Sequence, residues 1–240
     1  MRSRGPIICI DGPAGSGKST AARNLARRLG YVFLDTGATF RAVALKALRQ
    51  QGDLEDPTAM AELARAAQIG FRGKQGEKVF LDGEDVTTAI RSQEVSAGAS
   101  RIAVHPGVRE VLMDLWRRIA EEGGVVLEGR DIGTVVFQDA ELKFFLVARP
   151  AVRAARRYRD RAAERGLTLD QVKQDLARRD EADRRRAHAP LLRAPDAIEV
   201  DTSDLTPDET LDRLEREVRG HLDHRESRAG CPDADPRRRF

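Results

Sequence analysis

A glycine-rich stretch near the start of the chain, GPAGSGKST, has the residue types and spacing of a phosphate-binding loop. Gly12 is followed by four residues and then by Gly17, Lys18 and Ser19. Glycines let backbone N–H groups converge on phosphate oxygens, the lysine reaches the β- and γ-phosphates, and the serine hydroxyl suits Mg²⁺. The spacing therefore predicts a nucleoside triphosphate site with Ser19 as metal ligand and these residues around the phosphates: Gly12, Pro13, Ala14, Gly15, Ser16, Gly17, Lys18, Ser19 and Thr20.

Arginine recurs beside turns and predicted strand ends in three later segments. These are DTGATFR (35–41), EGRDIGTVVF (128–137) and RRDEADRRRAHAP (178–190). The planar guanidinium donates two parallel hydrogen bonds to a phosphate. Because the glycine loop already neutralises much of the charge of a triphosphate, the additional arginines indicate a second anionic ligand.

The elements that must position these residues alternate between strands and helices. The apolar run PIICI (6–10) predicts a buried strand before the loop, and Ala22, Leu25, Ala26 and Leu29 recur at helical spacing after it. Further strands are predicted over 31–35, 125–131, 142–148 and 197–200. This alternation predicts a parallel α/β sheet covered on both faces, with ligands at the carboxyl ends of the strands.

Helices are predicted over 39–52, from Asp56-Pro57, over 92–103, 106–122 and 150–166, after a capping box at Thr168, and after TPDET. The last one has an apolar stripe of Leu211, Leu214, Val218 and Leu222. Glycines break the segment 69–86 into short extended runs, which predicts a small antiparallel meander. Residues 223–240 lack apolar content and are predicted to be disordered.

Composition limits the class of protein. The 240 residues are 40% hydrophobic and 34% charged, and no apolar run approaches the length of a membrane span, so we expect a cytoplasmic protein without a membrane partner. Cys9 and Cys231 lack metal-ligand spacing.

A nucleic-acid-binding ATPase is an alternative suggested by the arginine clusters. Acidic residues interrupt those clusters and only 5% of residues are aromatic, so we expect no nucleic-acid partner.

In this order, LDTGATFR, EGRDIGTVVF and RDEADRRRAHAPL resemble the bacterial cytidylate kinases, a family of P-loop nucleoside monophosphate kinases. The resemblance covers roughly residues 5 to 222. It implies a kinase core with a five-stranded parallel sheet flanked by helices, an inserted monophosphate-binding domain with a small antiparallel sheet, and a short helical lid. On that pattern residues 1–222 form one domain, with the core at about 5–37, 124–150 and 190–222, the monophosphate-binding region at about 38–123 and the lid at about 151–167.

The resemblance also assigns roles to individual residues. It implies that Arg41, Arg130 and Arg186 hold the acceptor phosphate. Thr36 matches a position near the acceptor. Ser100, Arg109 and Asp131 match positions that recognise cytosine. Arg179 and Asp183 match positions near the ribose. Lys18, Arg130 and Arg186 are the predicted catalytic residues.

Several of these residues have ordinary structural alternatives. Arg130 and Asp131 have the sequence of a surface ion pair, and Asp183 and Arg186 that of an i,i+3 helix pair. Ser100 and Arg109 would each be unremarkable on a solvated helix face.

The segment 149–166 alternates arginine with acidic residues, which fits a solvated helix or a lid over ATP. The candidate lid residues are Arg153, Arg156, Arg157 and Arg161, and Arg157 is the predicted cofactor-binding one. Glu128 either positions Mg²⁺-bound water or is a strand-end acid paired with an arginine.

The activity implied by the resemblance is phosphorylation of CMP and dCMP, with ATP and Mg²⁺, by a monomer that takes small-molecule substrates. A P-loop kinase for another acceptor, such as UMP or shikimate, is the alternative among enzymes.

Overall fold

The computed structural model describes residues 2–73, 76–160 and 166–229. Its centre is a five-stranded sheet in the order β2–β6–β1–β7–β8, in which all neighbouring strands are parallel. The strands are β1 (Ile7–Asp11), β2 (Val32–Asp35), β6 (Val125–Gly129), β7 (Leu142–Val147) and β8 (Ile198–Asp201). All five residues of β1 and of β6 are buried, because both faces of the sheet are covered. The predicted parallel α/β fold is confirmed.

Strand order brings the functional segments together. The register sets Asp35 beside Glu128 across β2 and β6, and Asp11 beside Gly129 across β1 and β6. The glycine loop, the segment after Asp35 and the segment after Gly129 therefore leave the same edge of the sheet side by side. This edge is where ligands bind in open parallel sheets.

Eight α-helices lie within the described residues. They are α1 (Lys18–Leu29), α2 (Thr36–Arg49), α3 (Pro57–Ala66), α4 (Gln93–Ile102), α5 (Pro106–Ile119), α6 (Pro150–Asp160), α7 (Leu169–Arg185) and α8 (Pro207–Ala229). The predicted caps at Asp56 and Thr168 are confirmed, the latter as a complete capping box.

Helix α2 begins earlier than predicted, at Thr36 instead of residue 39. The reason is the side chain of Asp35, which accepts a hydrogen bond from the N–H of Ala38 at 2.9 Å and so caps the helix. Strand β2 therefore passes directly into α2. Helix α2 also ends at Arg49, before Gly52.

A small antiparallel sheet confirms the predicted meander. It has the order β3–β4–β5, with β3 (Ile69–Arg72), β4 (Lys78–Leu81) and β5 (Glu84–Asp85). Beside it, α2 packs on α4 and α3 packs on α5 around the fully buried Trp116. The ring of Trp116 meets that of Phe40 edge-on at 5.8 Å between centroids, and this contact joins α5 to the start of α2.

A π-helix at Ile132–Val136 was not predicted. Both carboxylate oxygens of Asp11 stabilise its first turn, accepting from the N–H of Ile132 at 3.0 Å and of Gly133 at 2.8 Å. This turn follows Arg130 and Asp131 directly, so Asp11 fixes the backbone beyond them. The raised pKa of Asp11, about 6, reflects its burial.

None of the helices in the described part of the chain is long and apolar enough to cross a bilayer. Helix α8 does not stop at Leu222, where its apolar stripe ends, but continues to Ala229. The rest of the predicted tail, 230–240, lies outside the described residues.

A chain truncated after Leu222 is expected to keep the kcat/KM of the full chain. Leu211, Leu214 and Val218 are buried against the sheet and all lie before the truncation point, so the core keeps its covering helix. Thermal unfolding and steady-state kinetics of the two chains measure this. A truncated chain that fails to fold cooperatively would show that residues 223–240 stabilise the core.

Candidate active site

One cleft of about 860 Å³ opens at the carboxyl edge of the central sheet. It is lined by every predicted site residue except Gly12 and Pro13. The sequence segments that carry these residues are distant along the chain, and the fold brings them to one place.

The donor side of the cleft is the glycine loop. Gly17 has a φ of 87°, in the left-handed region, and α1 begins at the next residue, so the start of the helix faces the cleft. Lys18 is 6% exposed, and its Nζ donates to the carbonyl oxygen of Pro13 at 3.0 Å. Burial, aided by the charge of Arg130, lowers the pKa of Lys18 to about 7. A phosphate bound here would favour the charged form of Lys18, which burial disfavours.

Ser19 and Glu128 contact each other in the cleft. The Ser19 hydroxyl donates to Oε2 of Glu128 at 2.6 Å. Burial and the neighbouring charge of Asp35 raise the pKa of Glu128. The Thr36 hydroxyl donates to the backbone oxygen of Glu128 at 2.7 Å, so Thr36 lines the cleft with its hydroxyl turned to the strand end. This geometry does not support the alternative that Glu128 is an acid paired with an arginine.

The three arginines predicted for the acceptor also line the cleft. Arg41 donates to Asp35 at 2.7 Å, and Arg130 donates through Nε to Asp183 at 2.8 Å. Arg186 also pairs with Asp183. The predicted i,i+3 pair is therefore present, and its carboxylate serves two arginines. Burial raises the pKa of Asp183, but the charges of Arg130 and Arg186 outweigh that effect and lower it.

A buried ion pair lies beside these arginines. Asp131 pairs with Nη2 of Arg109 instead of with its neighbour Arg130, so the surface-pair alternative is wrong. Both side chains are almost fully buried, and the Arg109 guanidinium lies 5.6 Å from the centre of the Phe40 ring. Burial raises the pKa of Asp131 although Arg109 opposes it.

Sequence comparison decides the family of the chain. The model of the family described as cytidylate kinase matches residues 8–220. The chain belongs to the cytidylate kinase family.

Relatives agree with that assignment. The chain is 45% identical over 225 residues to a cytidylate kinase of Citrifermentans bemidjiense, covering 92% of this chain and 96% of that one. It is 49% identical over 218 residues to a cytidylate kinase of Geobacter sulfurreducens, covering 90% and 94%. An uncharacterized protein from Eubacterium ventriosum has a similar fold, with a TM-score of 0.50 and 12% identity over 90% of this chain and 99% of that one.

Two further residues predicted from the cytidylate kinase motifs lie at different depths. Ser100 is exposed on α4 and donates to the carbonyl oxygen of Ser96 at 3.2 Å. Arg179 lies on α7, and burial lowers its pKa to about 10. Its buried Nε finds no hydrogen-bond acceptor among the described residues. A ligand in the cleft would supply that acceptor.

The four candidate lid arginines have different surroundings in the structure. Arg157 lines the cleft, as predicted for a residue that contacts the donor. Arg156 also lines it, but its guanidinium donates to the hydroxyl and the carbonyl oxygen of Thr202 at 2.9 and 2.6 Å. Arg153 is buried outside the cleft, so its candidacy as a lid residue over ATP is wrong. Arg161 lies outside the described residues.

Sequence reasoning missed two acids that organise this site. Asp35 pairs with Arg41 and caps α2, and Asp11 holds the turn after Asp131. The available signal was position: each acid ends a predicted buried strand immediately before a functional segment. An acid at a strand end beside a ligand cleft is rarely a solvated surface residue.

Proposed function

We propose that this member of the cytidylate kinase family transfers the γ-phosphoryl group of ATP to the phosphate of CMP and dCMP. The observation that carries the proposal is the composition of the cleft. The same cleft is lined by a phosphate-binding loop with Lys18, by Arg41, Arg130 and Arg186, and by the buried Arg109–Asp131 pair. A donor and an acceptor that are both anionic need this double set of cations.

The chain's contribution to transfer is alignment and charge. Phosphate oxygens of the acceptor are already anionic at neutral pH, so no residue needs to remove a proton. Arg41, Arg130 and Arg186 would hold the acceptor oxygen in line with the γ-phosphorus, while Lys18 neutralises the donor. The bond from the γ-phosphorus to its bridging oxygen breaks, ADP leaves with the electron pair, and the new P–O bond forms on the acceptor.

The residues present fit Mg²⁺. Ser19 and Glu128 offer a hydroxyl and a carboxylate in contact, which are the hard oxygen donors that this ion prefers. Within the described residues there is no group of three or more His, Cys, Asp or Glu side chains suited to hold a metal. When bound, Mg²⁺ would neutralise charge on the β- and γ-phosphates.

An acceptor panel tests the activity. ADP release is measured with CMP, dCMP, UMP, AMP and shikimate, and with no acceptor, at equal enzyme and MgATP concentrations. The proposal expects the highest kcat/KM with CMP or dCMP. Faster turnover with UMP or shikimate would replace the acceptor assignment, and ADP release stimulated only by oligonucleotides would favour the nucleic-acid-dependent alternative.

We infer that the enzyme works as a monomer in the cytoplasm, where free nucleotides are found. The inference is supported by the cleft, in which a single chain supplies both the phosphate-binding loop and the arginines proposed for the acceptor. Light scattering with and without CMP measures the oligomeric state.

Arg186→Ala is expected to raise KM for CMP roughly 10-fold, because a charge-assisted hydrogen bond to the acceptor phosphate is lost while two other arginines remain. The Kd of ATP should stay within about 2-fold, since Arg186 lies on the acceptor side. The matched control is Arg185→Ala, which removes an exposed pair with Glu181. Loss of ATP affinity with an unchanged KM for CMP would place Arg186 with the donor.

A further inference from the structure

A buried arginine outside the cleft connects its two sides. Arg153 on α6 donates through Nε to the carbonyl oxygen of Ala148 at 3.1 Å. Its Nη1 donates to the carbonyl oxygen of Ala14 in the glycine loop at 3.1 Å and to Oδ2 of Asp180 on α7 at 2.6 Å. One guanidinium nitrogen thus joins the donor loop to the helix that carries acceptor-side residues.

On the donor side, the loop lies directly against the backbone of α6. A Cβ atom placed on Gly15, whose φ is +77°, would lie 3.0 Å from both the Cβ and the carbonyl oxygen of Arg153. There is no free space between the loop and α6 at this residue, so α6 cannot move toward the loop without displacing it.

On the acceptor side, Asp180 follows Arg179 in α7 and precedes Asp183 by one turn. Asp183 in turn holds Arg130 at the end of β6 and Arg186 at the end of α7. A shift of Asp180 would therefore move three arginines assigned to the acceptor: Arg130, Arg179 and Arg186.

Few apolar side chains pack where the glycine loop, α6 and α7 meet. The buried apolar side chains are Ala14, Ala154, Val172 and Leu176. The other carboxylate oxygen of Asp180, Oδ1, is buried without a hydrogen-bond partner among the described residues. Burying an ion pair while one carboxylate oxygen lacks a hydrogen bond adds little net stability. The Arg153–Asp180 pair therefore indicates a role other than stabilisation.

We propose that Arg153 and Asp180 are positioning residues that set the spacing between the donor loop and the acceptor-holding arginines. This rests on the proposed phosphoryl transfer between the two sides. Neither side chain contacts a substrate in this scheme. Their effect is on the in-line distance between the two phosphates, and reaction rates are steep in that distance.

Asp180→Asn keeps the shape of the side chain and removes its charge, and Arg153→Lys keeps the charge and removes the fork. Each is expected to lower kcat about 10- to 100-fold, with KM for ATP and for CMP within about 3-fold of the parent. The double variant should lower kcat by less than the product of the two single effects, because both changes break one link.

Asp204→Asn is the matched control, since Asp204 pairs with Arg149 next to α6 on the protein surface. It should leave kcat unchanged. Circular dichroism and thermal unfolding establish the folded fraction, and kcat is expressed per folded enzyme. Either single variant can be judged alone if the other fails to fold.

The proposal is overturned if folded Asp180→Asn and Arg153→Lys have a lower Tm and the kcat of the control. It is also overturned if only KM for ATP rises, because the pair would then serve the donor loop alone. If the parent protein does not phosphorylate CMP, the proposed function fails before the variants are compared.

Discussion

Lys18→Ala is expected to reduce phosphorylation of CMP by at least about 100-fold while the protein remains folded. The side chain is buried beside the glycine loop, and its Nζ contacts the loop carbonyl of Pro13. A preorganised charge at a transferring phosphoryl group contributes several kcal/mol to transition-state stabilisation, which is the origin of the expected loss.

The same variant should be more stable than the parent in the absence of ligand, and more so at pH 7 than at pH 10. Burial lowers the pKa of Lys18 from 10.5 to about 7. Between these values the unfolded chain binds a proton that the folded chain has lost, so the stability contributed by this group rises with pH through the window. The penalty that alanine removes is therefore greatest at pH 7 and below. Thermal unfolding of parent and variant at both pH values measures the difference.

Lys78→Ala provides the control, because Lys78 is an exposed lysine on β4 far along the chain from the glycine loop. It should change neither turnover nor the pH dependence of stability. Near-normal turnover by folded Lys18→Ala would contradict the assignment of the loop. If Lys18→Ala changes Tm by the same amount at pH 7 and at pH 10, the lowered pKa of the buried lysine is contradicted.

Local patterns were enough to predict the strands and most helices. Four of the five strands of the central sheet end in glycine or an acid. The caps at Asp56 and Thr168 are satisfied within a few residues along the chain. The π-helix at 132–136 was missed because its sequence, IGTVV, is typical of a strand. Hydrogen bonds from the N–H groups of Ile132 and Gly133 to the carboxylate of Asp11, more than a hundred residues earlier, overcome that preference.

The site shows the same division between local and long-range information. Nearly every predicted site residue lines the cleft, and those in the segments after β1, β2 and β6 do so because the carboxyl ends of parallel strands meet at one edge of the sheet. Apart from the i,i+3 pair of Asp183 and Arg186, the pairing among these residues was not predicted. The adjacent residues Arg130 and Asp131 pair with Asp183 and Arg109, respectively, and Arg153 pairs with Asp180. Such choices depend on tertiary distances and burial, which a motif does not contain.

Cytosine and uracil differ at one exocyclic position, and Asp131 is the residue proposed to distinguish them. Cytosine presents an amine donor where uracil presents a carbonyl acceptor. A carboxylate accepts from the first and repels the second. The structure places Asp131 in the cleft with Oδ2 held by Arg109, so its orientation is fixed before a base arrives.

Asp131→Asn should lower the ratio of kcat/KM for CMP to that for UMP by about 10- to 100-fold, since a buried polar group without a partner costs about 1–3 kcal/mol. Asparagine can keep its oxygen toward Arg109, which leaves the NH₂ group facing the base. That donor opposes the cytosine amine and suits the uracil carbonyl, so most of the change should be loss of CMP turnover. Kinetics with both nucleotides measure the ratio, and Asp139→Asn, a change at an exposed acid, should leave it unaltered. If activity with both nucleotides falls equally, Asp131 serves only to orient Arg109, and the base is read by Arg109 and Ser100 instead.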